Sequence, residues 1–480
     1  ETSMSQYRSF INGEWLGTTS TLPNLNPSDL SDVVGEALLA DDALVADAIA
    51  AARHAFRSWS LTTPQQRADI LDAAGTRILQ RKEELGTLLA REEGKRLPEA
   101  IGEVGRAGNI FKFFAGEALR IGGEVVSSVR PGMTVEVTRE PLGVIGMITP
   151  WNFPIAIPAW KIAPALAYGN TVVIKPAEAV PACATELVKI LEESGLPAGV
   201  VNLLLGPGRV VGEALVASPD IDAISFTGSE STGRAIAVKC VTSGKKVQLE
   251  MGGKNPLVVI DDADLDVAVE AALDGSFFST GQRCTASSRL IVTSAIHGQF
   301  VAALQRKASE LVVGHALDKA TQIGPVLDDR QLQQNLKYLK IAAEEGGQVL
   351  GGERVERPTR GYFMRPALVI GTDNTMRINR EEVFGPVASV IKVADYEEAL
   401  AVSNDTPYGL AAGICTTSLK YASHFRRHAE AGMVMVNAPT AGVDYHVPFG
   451  GRKRSSYGPR EQGTYAREFY TVVKTAYVKA

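Results

Sequence analysis

The stretch Ser279–Ser288, STGQRCTASS, sets one cysteine, Cys284, among small and hydroxylated residues with an arginine immediately before it. A cysteine attacks as thiolate, so a nucleophilic Cys284 needs a depressed pKa or a base within reach. Cys–His pairing is the usual arrangement, yet none of the six histidines falls in a suggestive motif. The best acid–base candidate is Glu250 in QLEMGGKNP, a carboxylate leaving an apolar strand for a Gly-Gly turn. Partial burial there would raise its pKa toward the range a general base uses. Asn152, in TPWNFPIAIPAWK, lies between two aromatics in an apolar run. Its amide could complete an oxyanion hole with a backbone N–H at the nucleophile. On type and spacing alone, each residue keeps an ordinary reading beside the chemical one: buried thiol, satisfied carboxylate, turn asparagine.

Two glycine-rich loops suit a dinucleotide. LLGPGRVVG (Gly206, Gly208, Gly212) and SFTGSESTG (Gly228, Gly233) each follow a predicted strand and open a helix. Backbone N–H groups and a helix N-terminus there can face a pyrophosphate. Neither loop is a full GxGxxG, so a tight strand-to-helix turn stays open. Lys175 and Glu178, in VVIKPAEAVP, stand just past a buried strand, where open α/β sheets bind ligands. A carboxylate there can accept both ribose hydroxyls, although a surface ion pair would look the same.

Positioning such groups requires the right elements, and 480 residues allow more than one core. Apolar residues at three- and four-residue intervals predict helices over 42–95, with Pro64 as a first helical residue, and over 97–120. Valines alternating with polar residues predict two antiparallel strands within 122–140. From residue 142 short apolar runs alternate with helical segments, and the pattern restarts after 252. That implies an α/β fold of two lobes with parallel sheets, hinged at LEMGGKNP. EFYTVVKTAYVKA reads as one more strand, which must pair, with another subunit if not within the chain.

Composition excludes several classes. A net charge of −5 without a basic face gives no reason to expect nucleic acid. Four scattered cysteines without CxxC, and histidines without ligand spacing, predict no disulfide framework and no metal. Pro141–Trp160 carries no charge, but its four prolines argue for buried strand and loop over a membrane span. No secretory signal pattern is evident, so a cytoplasmic protein is expected; the three residues before Met4 read as foreign to the native chain.

PWNFP, KPAE, FTGS, LEMGGKNP, GQRC, EEVFGPV and PFGG, in this order, resemble the aldehyde dehydrogenase superfamily from about Phe10 onward. The resemblance implies a Rossmann-type cofactor domain (1–121 and 141–252) and an α/β catalytic domain (253–452). It also implies a small β oligomerisation arm (122–140 and 453–480), exchanged between subunits of a homodimer or homotetramer. It makes Cys284 the nucleophile toward an aldehyde, Asn152 the oxyanion donor and Glu250 the base that hydrolyses the thioester to a free acid. Lys161 and Glu461 match positions associated with proton transfer. NAD is the implied cofactor, with NADP as the alternative. Its implied contacts are Thr149, Pro150, Trp151, Lys175, Glu178, Gly208, Gly212, Phe226, Gly228, Ser229, Gly252, Glu382 and Phe384. Substrate-tunnel positions match Arg106, Ile157, Trp160, Arg283 and Thr285. Two arginines at a tunnel invite a remote carboxylate, unless they bind backbone carbonyls or internal acids. The segment AGVDYHVPFGGRKRSSYGPREQG is similar to that of α-ketoglutaric semialdehyde dehydrogenases. The alternatives are a broad aliphatic or aromatic aldehyde dehydrogenase and, in another class, a cofactor-independent thiol esterase.

Overall fold

A computed structural model describes residues 4–479; the three residues ahead of Met4, expected to be foreign, lie outside the described range. Two large sheets organise the chain. The first has eight strands, and its five parallel central ones run in the spatial order Lys246–Glu250, Ala223–Thr227, Val144–Ile148, Thr171–Lys175, Val201–Leu203. These strands are almost wholly buried, which is why they read as continuous apolar runs and not as alternating ones. Successive connections run one way from Val144–Ile148 and the other way from Ala223–Thr227. The switch point of the sheet therefore falls between those two neighbours, and open α/β sheets bind ligands beyond the strand ends at such a point.

The second sheet has seven strands, six of them parallel: Ala367–Thr372, Val387–Val393, Ser287–Thr293, Asn255–Val259, Ala411–Cys415 and Met433–Val436. The crossing between the two sheets is short. Lys246–Glu250 ends in the first sheet and Asn255–Val259 begins the second, with only Met251–Lys254 between them.

The helical region opens as expected. Thr63 accepts from the Gln66 N–H, the Gln66 side chain accepts from the Thr63 N–H, and Pro64 follows as the first helical residue. The long helical stretch is broken at Arg81 into Pro64–Gln80 and Lys82–Glu93. After the strand Val144–Ile148, the proline-bearing run contains a buried helix, Ala156–Ala167, where strand and loop were expected. Pro158 falls in its first turn, where no intrahelical N–H is needed, so the helix tolerates it.

The strands Glu124–Ser127 and Met133–Pro141 form the expected hairpin. Thr471–Lys479 pairs with Met133–Pro141 over nine residues, so the last strand finds a partner within the chain. Short strands within residues 6–38 were not anticipated; Ser9–Ile11 and Glu14–Leu16 extend the edge of the first sheet. No described helix is long and apolar enough to cross a membrane.

Candidate active site

Cys284 is set by an unusual backbone. Ser279, Thr280 and Gly281 hold consecutive positive φ values of 53°, 57° and 66°. At Gly281 a Cβ would lie 2.0 Å from the Gly385 carbonyl oxygen, so both conformation and space require glycine there. The Thr280 hydroxyl donates to Gly324 O at 3.0 Å, and Glu99 accepts the Ser279 N–H at 3.1 Å, pinning the turn from outside. Beyond it, Cys284 lines a cavity of about 370 Å³ together with Arg106, Phe153, Trp160, Arg283, Thr285 and Phe449. On its other side it lines a narrow cleft with Gly253, Glu382 and Phe384. The thiol residue thus stands in the wall between a substrate-sized space and a second opening.

Two predicted partners converge on it. Asn152 is buried, and its Nδ2 donates to Gln282 O at 3.2 Å, two residues before the cysteine. Glu250, at the end of its strand, is buried; its Oε2 accepts from the Ser456 hydroxyl at 2.5 Å while Oε1 has no partner. Burial first, and then the nearby Glu461 charge, hold the Glu250 carboxyl well above the ordinary carboxylate range. Burial, helped by Glu250 and Glu382, pushes the Cys284 thiol up to about 12, while its own backbone N–H and Arg106 pull the other way. A resting thiol with a high-pKa carboxylate near it suits a site in which the proton must be taken at the moment of attack.

Lys161 and Glu461 form a buried ion pair beneath this group. Lys161 also donates to Ser225 Oγ at 2.7 Å, and Trp160 Nε1 donates to Glu461 Oε2 at 2.8 Å.

The cofactor candidates assemble at the strand ends of the first sheet. Lys175 is buried, donates to Pro176 O at 2.9 Å, and is depressed to about 8 by burial. Glu178 is exposed and accepts the Gly208 N–H at 3.3 Å, and Gly212 lies against the Lys175 side chain. At the switch point Thr149 Oγ1 and Thr227 Oγ1 are both buried without partners. Phe226 packs where a Cβ on Gly228 would clash at 2.7 Å, and exposed Ser229 begins the helix Glu230–Thr242. Glu382 accepts the Gly253 N–H at 3.2 Å and lies where a Cβ on Gly252 would meet its Oε2 at 2.3 Å. Phe384, with φ of 65°, meets Trp151 edge-on at 5.5 Å, and Pro150 precedes that tryptophan in the same turn. Orphaned hydroxyls at the switch point, and open space at Gly208, where a Cβ would meet nothing within 4 Å, suit an extended, polyhydroxylated dinucleotide.

Among the tunnel candidates, Arg106, Trp160, Arg283 and Thr285 line the cavity; Ile157 is packed into the core instead. Arg283 is engaged by the C-terminal carbonyls of the helix Leu265–Phe277, donating to Asp274 O and, at 3.4 Å, to Gly275 O. Each of the two arginines has a buried Nε without a partner, but Arg283 also reaches the Asp274 carboxylate at 3.5 Å, whereas Arg106 has no ion pair among the described residues. Arg106 donates to Gln462 Oε1 at 3.0 Å and lies 5.3 Å from the Trp160 ring. Sequence reasoning missed Ser456, Gln462 and Arg96 as neighbours of the site. Only a non-glycine residue at φ 60°, as Gln462 is, marks one of them, and sequence does not reveal it.

The model of the aldehyde dehydrogenase family matches residues 15–476. The chain belongs to the aldehyde dehydrogenase family. As such it is an oxidoreductase that acts on aldehydes with NAD(P). It is 43% identical to an alpha-ketoglutaric semialdehyde dehydrogenase of Bacillus subtilis, over 100% of this chain and 99% of the relative. To an alpha-ketoglutarate semialdehyde dehydrogenase of Haloferax volcanii it is 44% identical, over 98% of each. Its fold superposes with a TM-score of 0.96 on a betaine aldehyde dehydrogenase from Staphylococcus aureus solved with NAD+, at 34% identity, covering 99% of this chain and 95% of that one.

Proposed function

We propose that the protein oxidises a semialdehyde with a remote carboxylate to a dicarboxylic acid, α-ketoglutaric semialdehyde being the favoured substrate. The observation that carries this reading is Arg106, whose guanidinium faces the Cys284 cavity with a buried, unpartnered nitrogen and no ion pair among the described residues. A carboxylate matches that guanidinium in charge and geometry. The two relatives above share the specificity in their names, which supports the same choice. Arg283, held by carbonyls and by the Asp274 carboxylate, is assigned to bracing the nucleophile loop instead.

In the proposed reaction Cys284 Sγ adds to the aldehyde carbon as its proton passes to Glu250, and the resulting oxyanion accepts from Asn152 Nδ2 and the Cys284 N–H. Lys175, Glu178, Glu382 and Phe384 would hold the dinucleotide, which when bound would supply the acceptor for the hydride whose loss from the former aldehyde carbon turns the thiohemiacetal into the Cys284 thioester. Glu250 then takes a proton from water that attacks the thioester, releasing the acid and the free thiol. Lys161 and Glu461 are assigned to carrying that proton away. Glu178 would repel a 2′-phosphate, which favours NAD over NADP. Assembly is proposed to be homo-oligomeric, through the β arm.

Formation of reduced cofactor at 340 nm with NAD, NADP and a panel of aldehydes tests the assignment. Arg106→Met should raise KM for α-ketoglutaric semialdehyde at least tenfold and leave neutral aldehydes within a factor of two. Equal effects on both would favour a broad-specificity enzyme. Ester hydrolysis without any reduction of NAD or NADP would instead mark a thiol esterase.

A further inference from the structure

Asn152 has to present its amide in one orientation, yet it sits in a turn, Trp151–Ile155, outside any regular element. Two residues from elsewhere hold that turn. Lys95 Nζ donates to the backbone carbonyl of Asn152 at 2.8 Å and to Glu103 Oε2 at 2.8 Å. The same ammonium lies 3.7 Å from the centre of the Phe153 ring, so the next residue is gripped as well. The other oxygen of Glu103 accepts the N–H groups of Ile155 and Ala156 at 3.3 and 3.2 Å. These begin the helix Ala156–Ala167, which has no side-chain cap of its own. Glu103 therefore caps it from a neighbouring helix, Leu97–Ala118, with the charge sign a helix N-terminus favours.

Both side chains are only 2% exposed. Two buried charges of this kind add little stability over an apolar pair of similar size, because their desolvation offsets their attraction. What the pair does do is fix both ends of one turn against one helix. That helix also supplies Glu99 to the Ser279 N–H, on the loop that carries Cys284. The two sides of the oxyanion site are thus referenced to a single rigid element.

We propose that Lys95 and Glu103 are positioning residues that set Asn152 for oxyanion stabilisation. The inference rests on the oxyanion role assigned to Asn152 above. Displacements of about 1 Å at such a donor cost on the order of a hundredfold in rate.

The test is a double-mutant cycle on the full-length enzyme, reading the pre-steady-state burst of NADH and, separately, NAD binding by fluorescence. Lys95→Met should slow the burst roughly 10- to 100-fold with NAD affinity within a factor of two. In an Asn152→Ala background the same substitution should cost less than twofold more. Glu103→Gln, which keeps size and shape, should act in the same direction and serves as the second arm if Lys95→Met does not fold. A slow Asn152→Ala enzyme in which these substitutions cost as much as in the native one would overturn the clamp alone. An Asn152→Ala enzyme with a native burst would overturn the oxyanion role and the clamp with it.

Discussion

Glu250 and Cys284 are buried near one another, and burial disfavours both of their anions. For a carboxyl raised in the folded state, the folded protein binds the proton more tightly, so stability declines as pH rises from the unfolded value of 4.5. Glu250→Gln should therefore raise Tm by a few degrees at pH 8, with the gain vanishing near pH 4.5. Its NADH burst should slow and its steady-state turnover should cease, because the thiol and the hydrolytic water both lose the carboxylate that takes their proton. Cys284 gives a second test. With its thiol near 12, alkylation of the cofactor-free enzyme by iodoacetamide should climb about tenfold per pH unit through pH 9. A plateau near pH 7 would contradict the resting thiol described above. None of these shifts could be read from sequence, since Ser456 and Glu461, which surround Glu250, follow it by some 200 residues.

Elements were better inferred than residues. Strand runs such as NTVVIKP and VASVIKV announced themselves because both sheet faces are covered and nearly every side chain is apolar. The helix Ala156–Ala167 was missed because prolines masked its period, and the short strands at residues 6–38 because they alternate too briefly to register. Arg289 shows what neither pattern reveals. It is fully buried in the strand Ser287–Thr293, where Nε donates to Lys254 O at 3.0 Å and Nη1 to Asn374 Oδ1 and Val402 O, each at 2.9 Å. Nη2 adds Ser403 O at 3.0 Å, joining the interlobe turn to the helix Tyr396–Asn404. A lysine cannot reproduce that fork. Arg289→Lys should cost about 3 kcal/mol, measured by urea denaturation, with losses under about 1 kcal/mol counting against the cross-tie.

At the scale of the molecule, the three-stranded arm stands out for its surface. Val125, Val126, Val473 and Val478 are exposed on strands whose outer edges carry unpaired backbone groups, and Val129 is exposed in the hairpin turn. An apolar arm with free edges is what a second copy would cover. The double substitution Val473→Lys with Val478→Lys should shift the protein to monomer in sedimentation velocity while the cofactor cleft stays intact. An unchanged sedimentation coefficient would count against assembly through this arm. The sequence did foreshadow this arm, through its alternating valines, but its pairing within one chain depends on residues far apart and was not evident.

That same pairing has a consequence in time. Met133–Pro141 and Lys161 leave the ribosome some 300 residues ahead of Thr471–Lys479 and Glu461, the strand and the counter-charge that complete them. At about 5–20 residues per second, a nascent chain spends roughly 15–60 s with an open strand edge and an unmatched buried cation. The three-stranded arm and the buried ion pair beneath the site are therefore unfinished for most of translation, whatever their local sequence prefers. Chains stalled before residue 461 should remain with chaperones and bind no dinucleotide, even though nearly every cofactor contact proposed above has already been synthesised.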